Sequence, residues 1–455
     1  MGRRRRRWRR GAPPAPAMEY HPVPGLIAGA ICPARGSARQ GVRPRLRAGP
    51  QSSPPAAPAP GLHPFEHTEL VIDLKQILCL AADPWSRTNP SRTQRLLSGF
   101  PDIELLYFEP EAPRASARQR NSGRAAHLTR VYTLPPIPAV NEYHPAFSPH
   151  AHRHLLRAIR TAMEESRVFE PLLWVASPIY DELLDEIPHA GLIYDCDRDW
   201  SALPPALESR LTCRADLVFA ASAGLREHLS PCSRNIIVVP FGIDFPQYDA
   251  RVTDGFLCPP DLARCPFPRF GYAGTIWPNL NLTPVEAAAE AHPEWSFVFL
   301  GRISRKNPYV DALRRLPNVY FLGQKREEAV PAYLRHLTAG MMLLRDGMED
   351  DDVLSPRVYE YFAQGLPVAA MYYHLQKESY PTLIDSAYSV PRFVEMCEKI
   401  AAGDPVEKKI SRYEIASGAD WSMRCAQVRE AVADCRLLDR MDLTRSVDEG
   451  RDWFA

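Results

Sequence analysis

Residues Ser355–Met371 read SPRVYEYFAQGLPVAAM, which predicts a helix start, a helix, a stop and a strand. Ser355 suits an N-cap, because its hydroxyl accepts from a first-turn N–H that has no intrahelical partner. Pro356 suits the first helical position, where a missing N–H costs nothing. Gly365 suits the left-handed residue beyond the helix, and Pro367 blocks its continuation. Val358 and Phe362 lie one turn apart and predict a packed face. Arg357, Glu360 and Gln364 fall at i, i+3 and i+7, on a separate polar stripe. Within this stretch alone, the stripe is either a solvated face with one surface ion pair or a binding face.

Working outward, the same grammar repeats. AGMMLLRD and LPVAAMYY flank the helix as apolar runs, and RFGYAGTI, SFVFLGRI and VYFLGQK precede them. PVEAAAEAH and AVPAYLRHL are the clearest helices between these runs. Before the stretch FLCPPDLARCPFP, a further set reads QILCLA, DIELLYFEP, PLLWVASP, GLIYDCD, ADLVFAAS and NIIVVPFGID. Apolar runs without alternation, separated by helices, predict parallel strands covered on both faces. The expected fold class is therefore α/β, with two doubly wound Rossmann-like domains at 70–246 and 266–410. A C-terminal helix and tail occupy 411–455. The C-terminal ends of both sheets would face one central cleft, where ligands of open α/β sheets bind.

The chain has 455 residues, too many for one ordinary core, with 45% hydrophobic and 24% charged residues and a formal net charge of +1. That is a soluble globular balance with no overall bias toward nucleic acid, although the charge is not uniform along the chain. Residues 1–65 are rich in Arg, Pro and Ala and open with MGRRRRRWRR. They are expected to be a disordered tail, or to follow from a start placed upstream of a later one such as Met18. No apolar run is long enough to span a bilayer. The 10 cysteines form no CxxC pair, which fits reduced thiols in a cytoplasmic protein.

Taken together, SPRVYEYFAQGLPVAA, GYAGTIWPNLN, LPNVYFLGQ, YDCDRDWSAL, RADLVFAAS, VPFGID and DWSMR resemble the GT-B glycosyltransferases of the family-4 type, including bacterial enzymes that make surface polysaccharides. The resemblance runs from about Ile77 to the final helix. It implies a hexosyltransferase-type enzyme of polysaccharide biosynthesis that uses a nucleoside diphosphate sugar as co-substrate, with no other cofactor and no metal. Arg357 would meet the donor diphosphate beside a helix N-terminus, and Glu360 the ribose hydroxyls. Ser355, Gly274, Thr275, Arg302, Gly323 and Gln324 complete the implied donor site, with Lys325 a further cation near it. The chain departs from the family where an Arg and a nearby Lys usually follow the glycine; here stand Thr275, Ile276 and Asn279. Retaining members carry two Glu with seven residues between them. Counting back from Glu360 meets Asp352 instead, a candidate catalytic carboxylate that either contacts the donor sugar or matches by accident in an acidic loop, so the stereochemical outcome stays open.

Asp195, Asp197 and Asp199 crowd one strand end, where mutual repulsion is expected to raise at least one pKa. Asp199, then Asp197, are the candidate bases toward an acceptor hydroxyl. The alternative is that one caps a helix and the others are solvated. Asp195, Asp197 and Asp199 also match a metal-binding DxD pattern, a reading that the second α/β domain opposes. Trp85, Arg87 and His144 are candidate acceptor contacts on loops of the first domain. The expected partners are a nucleotide-sugar donor and a glycan or lipid-linked acceptor. Peripheral contact with the inner membrane surface is expected too, and no nucleic acid. A non-catalytic nucleotide-sugar-binding subunit and a sugar-nucleotide epimerase are the competing functions, since fold alone does not separate them.

Overall fold

The computed structural model describes residues 75–111, 128–137, 146–304, 308–345 and 352–440. The tail expected at 1–65 and the candidate contact His144 lie outside the described residues.

Two parallel sheets carry the architecture. The first contains β1 (Gln76–Leu80), β2 (Glu104–Glu109), β3 (Thr129–Thr133), β4 (Leu172–Val175), β5 (Gly191–Cys196), β6 (Leu217–Ala220) and β7 (Ile236–Val238). Its strand order is β3-β2-β1-β4-β5-β6-β7. The second contains β8 (Arg269–Ala273), β9 (Ser296–Leu300), β10 (Val319–Gly323), β11 (Ala339–Leu343), β12 (Val368–Met371) and β13 (Ile384–Ala387). Its order is β10-β9-β8-β11-β12-β13. The unbroken apolar runs follow from burial on both faces. Along β1, Leu78 and Leu80 join one core, while Ile77 and Cys79 join the core on the opposite face. Along β12, Val368 and Ala370 face one core, and Ala369 and Met371 the other.

β3 and β13 are absent from the sequence-based strand set. Both are edge strands, and their sequences TRVYT and IDSA mix polar residues into the run. An edge strand buries less of itself, so its apolar signal is weak.

The domain limits also move. Phe245, Tyr248, Leu262 and Cys265 belong to the second core, so that domain starts near Ile243 instead of 266. The helix Val406–Ser417 extends it past 410: Arg412 Nε donates to the Gly365 carbonyl at 3.0 Å, and Ala416 packs in the same core. The chain then returns to the first domain. Ile243 N donates to the Ala419 carbonyl at 2.9 Å, and Trp421 N to the Ile243 carbonyl at 3.0 Å. Only a residue without Cβ fits at Gly242, where that atom would stand 2.9 Å from both the Ala419 oxygen and the Trp421 ring. The helix Trp421–Asp434 buries Val428, Ala431 and Val432 with Trp174 and Phe219 of the first sheet.

Candidate active site

The helix predicted within 355–371 spans Pro356–Ala363. Ser355 Oγ accepts from Arg357 N at 3.3 Å, and Gly365 adopts φ +69° past the helix end. The polar stripe faces inward. Glu360 forms an ion pair with Arg357, and the Tyr248 hydroxyl lies against the same carboxylate. Gln364 Nε2 donates to the Tyr248 carbonyl at 2.6 Å, and its Oε1 accepts from Thr253 Oγ1 at 3.1 Å. Glu360 is 9% exposed, which rules out the solvated-face reading of the opening stretch. Burial lifts the Glu360 carboxyl above its ordinary range, while Arg357 and the Tyr248 hydroxyl pull the other way.

Tyr361 ties this helix to the end of β8. Its hydroxyl accepts from Ala273 N at 3.1 Å, and Ala273 directly precedes Gly274. The Arg357 charge reaches Tyr272, whose hydroxyl donates to the Thr275 carbonyl at 3.1 Å. Burial pushes that phenol up to about 12 against the lowering effect of Arg357. Arg357, Gly274 and Thr275 therefore share one site.

The neighbouring strand ends are laced together. Gly274 N donates to the Leu300 carbonyl at 2.8 Å, Gly301 N to the Gly323 carbonyl at 2.9 Å, and Ile276 N to the Arg302 carbonyl at 2.8 Å. Arg302, Gly323 and Gln324 are exposed beside them. Ile276, which stands in the segment where the family carries its cations, is 1% exposed and packs in the core on the opposite face of the second sheet, with Phe270 and Phe297. Lys325 is engaged elsewhere: its ammonium pairs with Asp261 at 2.6 Å, over the Tyr333 ring. That leaves Arg357 and Arg302 as the candidate phosphate cations.

Gly301 has the strictest backbone requirement here. It adopts φ +152°, and a Cβ would stand 1.8 Å from the Gly274 oxygen. Gly301→Ala is expected to destabilise the protein by about 3 kcal/mol or more, because backbone must move as well as adopt a strained conformation. Urea titration checks this; an unchanged midpoint would show that the two loops are not in register as described.

On the first sheet, the three aspartates separate. Asp195 is fully buried and paired with Arg92, and it also accepts from Thr93 Oγ1 at 2.9 Å. Burial raises its pKa, Arg92 lowers it, and Asp197 adds a smaller raising effect. Asp197 accepts from Arg198 Nε at 2.7 Å, and Arg198 Nη2 also reaches Asp83 at 2.6 Å. Asp199 accepts from Ser201 N at 2.8 Å and Ser201 Oγ at 2.7 Å, which closes a turn. Trp85 packs edge-on against Tyr107 at 5.0 Å, while Arg87 is exposed on the same loop. Asp352 is brought to the first domain: its carboxylate accepts from Ser222 Oγ and, at 2.9 Å, from Gly224 N. It caps the helix Ala223–Leu229 across the domain boundary.

No protein-family model matches the chain. It is 24% identical over 285 residues to the putative teichuronic acid biosynthesis glycosyltransferase TuaH of Bacillus subtilis, covering 56% of this chain and 70% of that protein. An E. coli trehalose-6-phosphate structure bound with UDP-2-fluoro glucose aligns with TM-score 0.59 and 13% identity, over 80% of this chain and 99% of the other. HepE of Anabaena, in complex with UDP and glucose, aligns with TM-score 0.52 and 14% identity, over 79% and 99%. The chain shares the GT-B fold of these structures.

Four residues around the candidate site escaped sequence reasoning. Tyr248 and Tyr361 bracket the Arg357–Glu360 pair from the crossing segment and from the helix itself. Asp83 shares Arg198 with Asp197, and Ser222 receives Asp352. Tyr361 carries the one usable signal, since it lies inside the quoted motif.

Proposed function

We propose that the chain is a glycosyltransferase, which moves a sugar from a nucleoside diphosphate sugar to a hydroxyl of a glycan or lipid-linked acceptor. The pair of buried Glu360 and partly buried Arg357 in the helix Pro356–Ala363, beside the Gly274 turn, carries the proposal. When the donor enters, Glu360 accepts from ribose hydroxyls, and Arg357 turns its guanidinium to the diphosphate. The acceptor oxygen attacks the anomeric carbon, the carbon–oxygen bond to the diphosphate breaks, and the acceptor proton passes to a base. Asp199 is the first candidate for that base and Asp197 the second. The helix end and Arg357 stabilise the departing diphosphate charge, so the step needs no metal ion.

Support comes from the shared fold with two structures whose ligands are UDP-2-fluoro glucose and UDP with glucose. The relative named for teichuronic acid biosynthesis supports a role in polysaccharide synthesis. Among the described residues, no helix is long and apolar enough to cross a membrane. We place the enzyme in the cytoplasm, peripheral to the inner membrane.

A thermal-shift panel of nucleoside diphosphates and their sugars tests the reading. Ligand at a hundredfold its Kd contributes about 2.7 kcal/mol, enough to raise Tm by several degrees. No shift with any nucleotide, with or without magnesium or manganese, would sink the donor site. Acceptor-independent isomerisation of the donor would indicate an epimerase instead. Binding without transfer or release would indicate a non-catalytic subunit.

A further inference from the structure

The solvent face of the helix Pro149–Ser166 is built from His150, Arg153, His154, Arg157 and Arg160. These five, with Leu156 and Glu186, line a cavity of about 470 Å³. Its chemistry is concentrated and only partly neutralised. Arg160 Nη2 donates to the Glu186 carbonyl at 2.9 Å and pairs with its carboxylate at 3.5 Å, and His152 takes the same carboxylate at 2.7 Å. Arg153 Nε donates to the Pro149 carbonyl at 3.2 Å, and the His150 and His154 rings stand 4.2 Å apart. Arg157 has no hydrogen-bond or ion-pair partner among the described residues.

The charge order of this helix opposes its own dipole. Its first turn holds no acid and its last turn no base, while Glu164 and Glu165 sit near its C-terminal end. A helix selected for stability alone carries the reverse order. Local rules broken in this way, without a compensating contact, mark functional surfaces. The placement is equally specific. The helix leads into β4 of a parallel sheet, so its N-terminal turns stand at the C-terminal edge of that sheet. The loops bearing Asp83 and Asp197 leave from the same edge.

We propose that this cavity binds an acidic glycan, holding the carboxylates or phosphates of the acceptor chain, and so selects anionic over neutral acceptors. The proposal rests on the glycosyl-transfer reading, because it assigns the surface to the acceptor. Arginine forks match carboxylate and phosphate oxygens in pairs, and the concave shape suits a chain of sugars. A bilayer is the poorer occupant. A helix that docks on lipid presents apolar side chains to it. Here Leu155, Leu156, Ile159 and Met163 are all buried in the first core.

The test uses the full chain and its Arg153→Ser/Arg157→Ser double variant; both side chains are exposed, so the fold is kept. Calorimetry would measure binding of oligogalacturonate, a phosphomannan, neutral dextran, and vesicles of phosphatidylglycerol. Wild type is expected to bind one or both charged saccharides over dextran, more weakly as salt rises. The double variant is expected to lose about tenfold or more in affinity, the loss of two forked ionic contacts. Oligogalacturonate alone identifies carboxylate as the recognised group, and phosphomannan alone identifies phosphate. Binding that does not exceed dextran, or that the double variant retains, overturns the proposal. So does vesicle binding lost in the variant when no saccharide binds. The nucleotide thermal shift is expected to be unchanged in the variant. If wild type shows no such shift yet binds the charged saccharide, the donor reading fails and the surface stands.

Discussion

Glu360→Gln is expected to lower kcat/KM for the donor by about a hundredfold, since hydrogen bonds to a charged group contribute about 1.5–3 kcal/mol and ribose offers two hydroxyls. The amide keeps the volume and one acceptor oxygen, so the Tyr248 contact and the fold are retained. What is lost is the negative charge beside Arg357, which both reads the sugar and holds the guanidinium ready. Steady-state kinetics with the identified nucleotide sugar checks this, and a change within threefold would remove Glu360 from the site. Acidity gives a second readout. Because burial raises the Glu360 pKa, wild type is expected to lose donor affinity on acidification above the ordinary glutamate range, near 4.3. The variant has no such limb. For stability the sign is opposite. The folded protein holds this proton more tightly than the unfolded chain does. That contribution is present below the unfolded pKa and is lost as pH rises through the folded one. Glu360→Gln should therefore gain on wild type in Tm as pH rises through that window.

The sheets were legible because strands buried on both faces leave unbroken apolar runs, as QILCL and LVFA do. TRVYT and IDSA left no such run, for the physical reason that a sheet edge is half wet. In the donor site, the cap at Ser355, the stop at Gly365 and the stripe of Arg357, Glu360 and Gln364 were readable from spacing. What covers the stripe was not. Tyr248 arrives from more than a hundred residues upstream, and no local pattern encodes that meeting. Asp352 shows the same limit. Its distance from Glu360 suggested the donor sugar, whereas the fold brings its carboxylate to Ser222 and Gly224 of the other domain. Near Asp197 the basic residue in YDCDRDWSAL was visible, but its use was not: Arg198 neutralises Asp197 and joins it to Asp83.

Arg92→Met is expected to cost about 3–5 kcal/mol, the range for removing one partner of a buried ion pair. Both side chains of the Arg92–Asp195 pair are fully buried, so water cannot replace the lost guanidinium. Thr93 Oγ1 and, at 3.4 Å, Trp174 Nε1 would remain as donors to a carboxylate whose charge is otherwise unbalanced. Differential scanning calorimetry should find Tm lower by roughly 10 °C, at a few degrees per kcal/mol for domains of this size. The deficit should shrink on acidification. Burial already raises the Asp195 pKa, and without Arg92 the neutral form is favoured further, so protonation repairs the variant more than wild type. Replacing both partners by apolar residues should recover much of the loss, since the desolvation cost disappears with the pair. Function should respond unequally. Arg92 Nη2 also donates to the Val239 carbonyl at 2.7 Å, where the chain leaves the first sheet for the second domain. Its helix is capped by Ser91 and Gln94, and Gln94 in turn holds Ser86 of the loop that carries Asp83. Loosening Arg92 therefore disturbs the Asp83–Arg198–Asp197 array, while the Arg357–Glu360 pair belongs to the other core. At a temperature where the variant is folded, KM for the acceptor should rise while nucleotide affinity stays within about twofold, as expected for sites that share no partners. Equal losses on both sides would mean that the two domains respond as one unit.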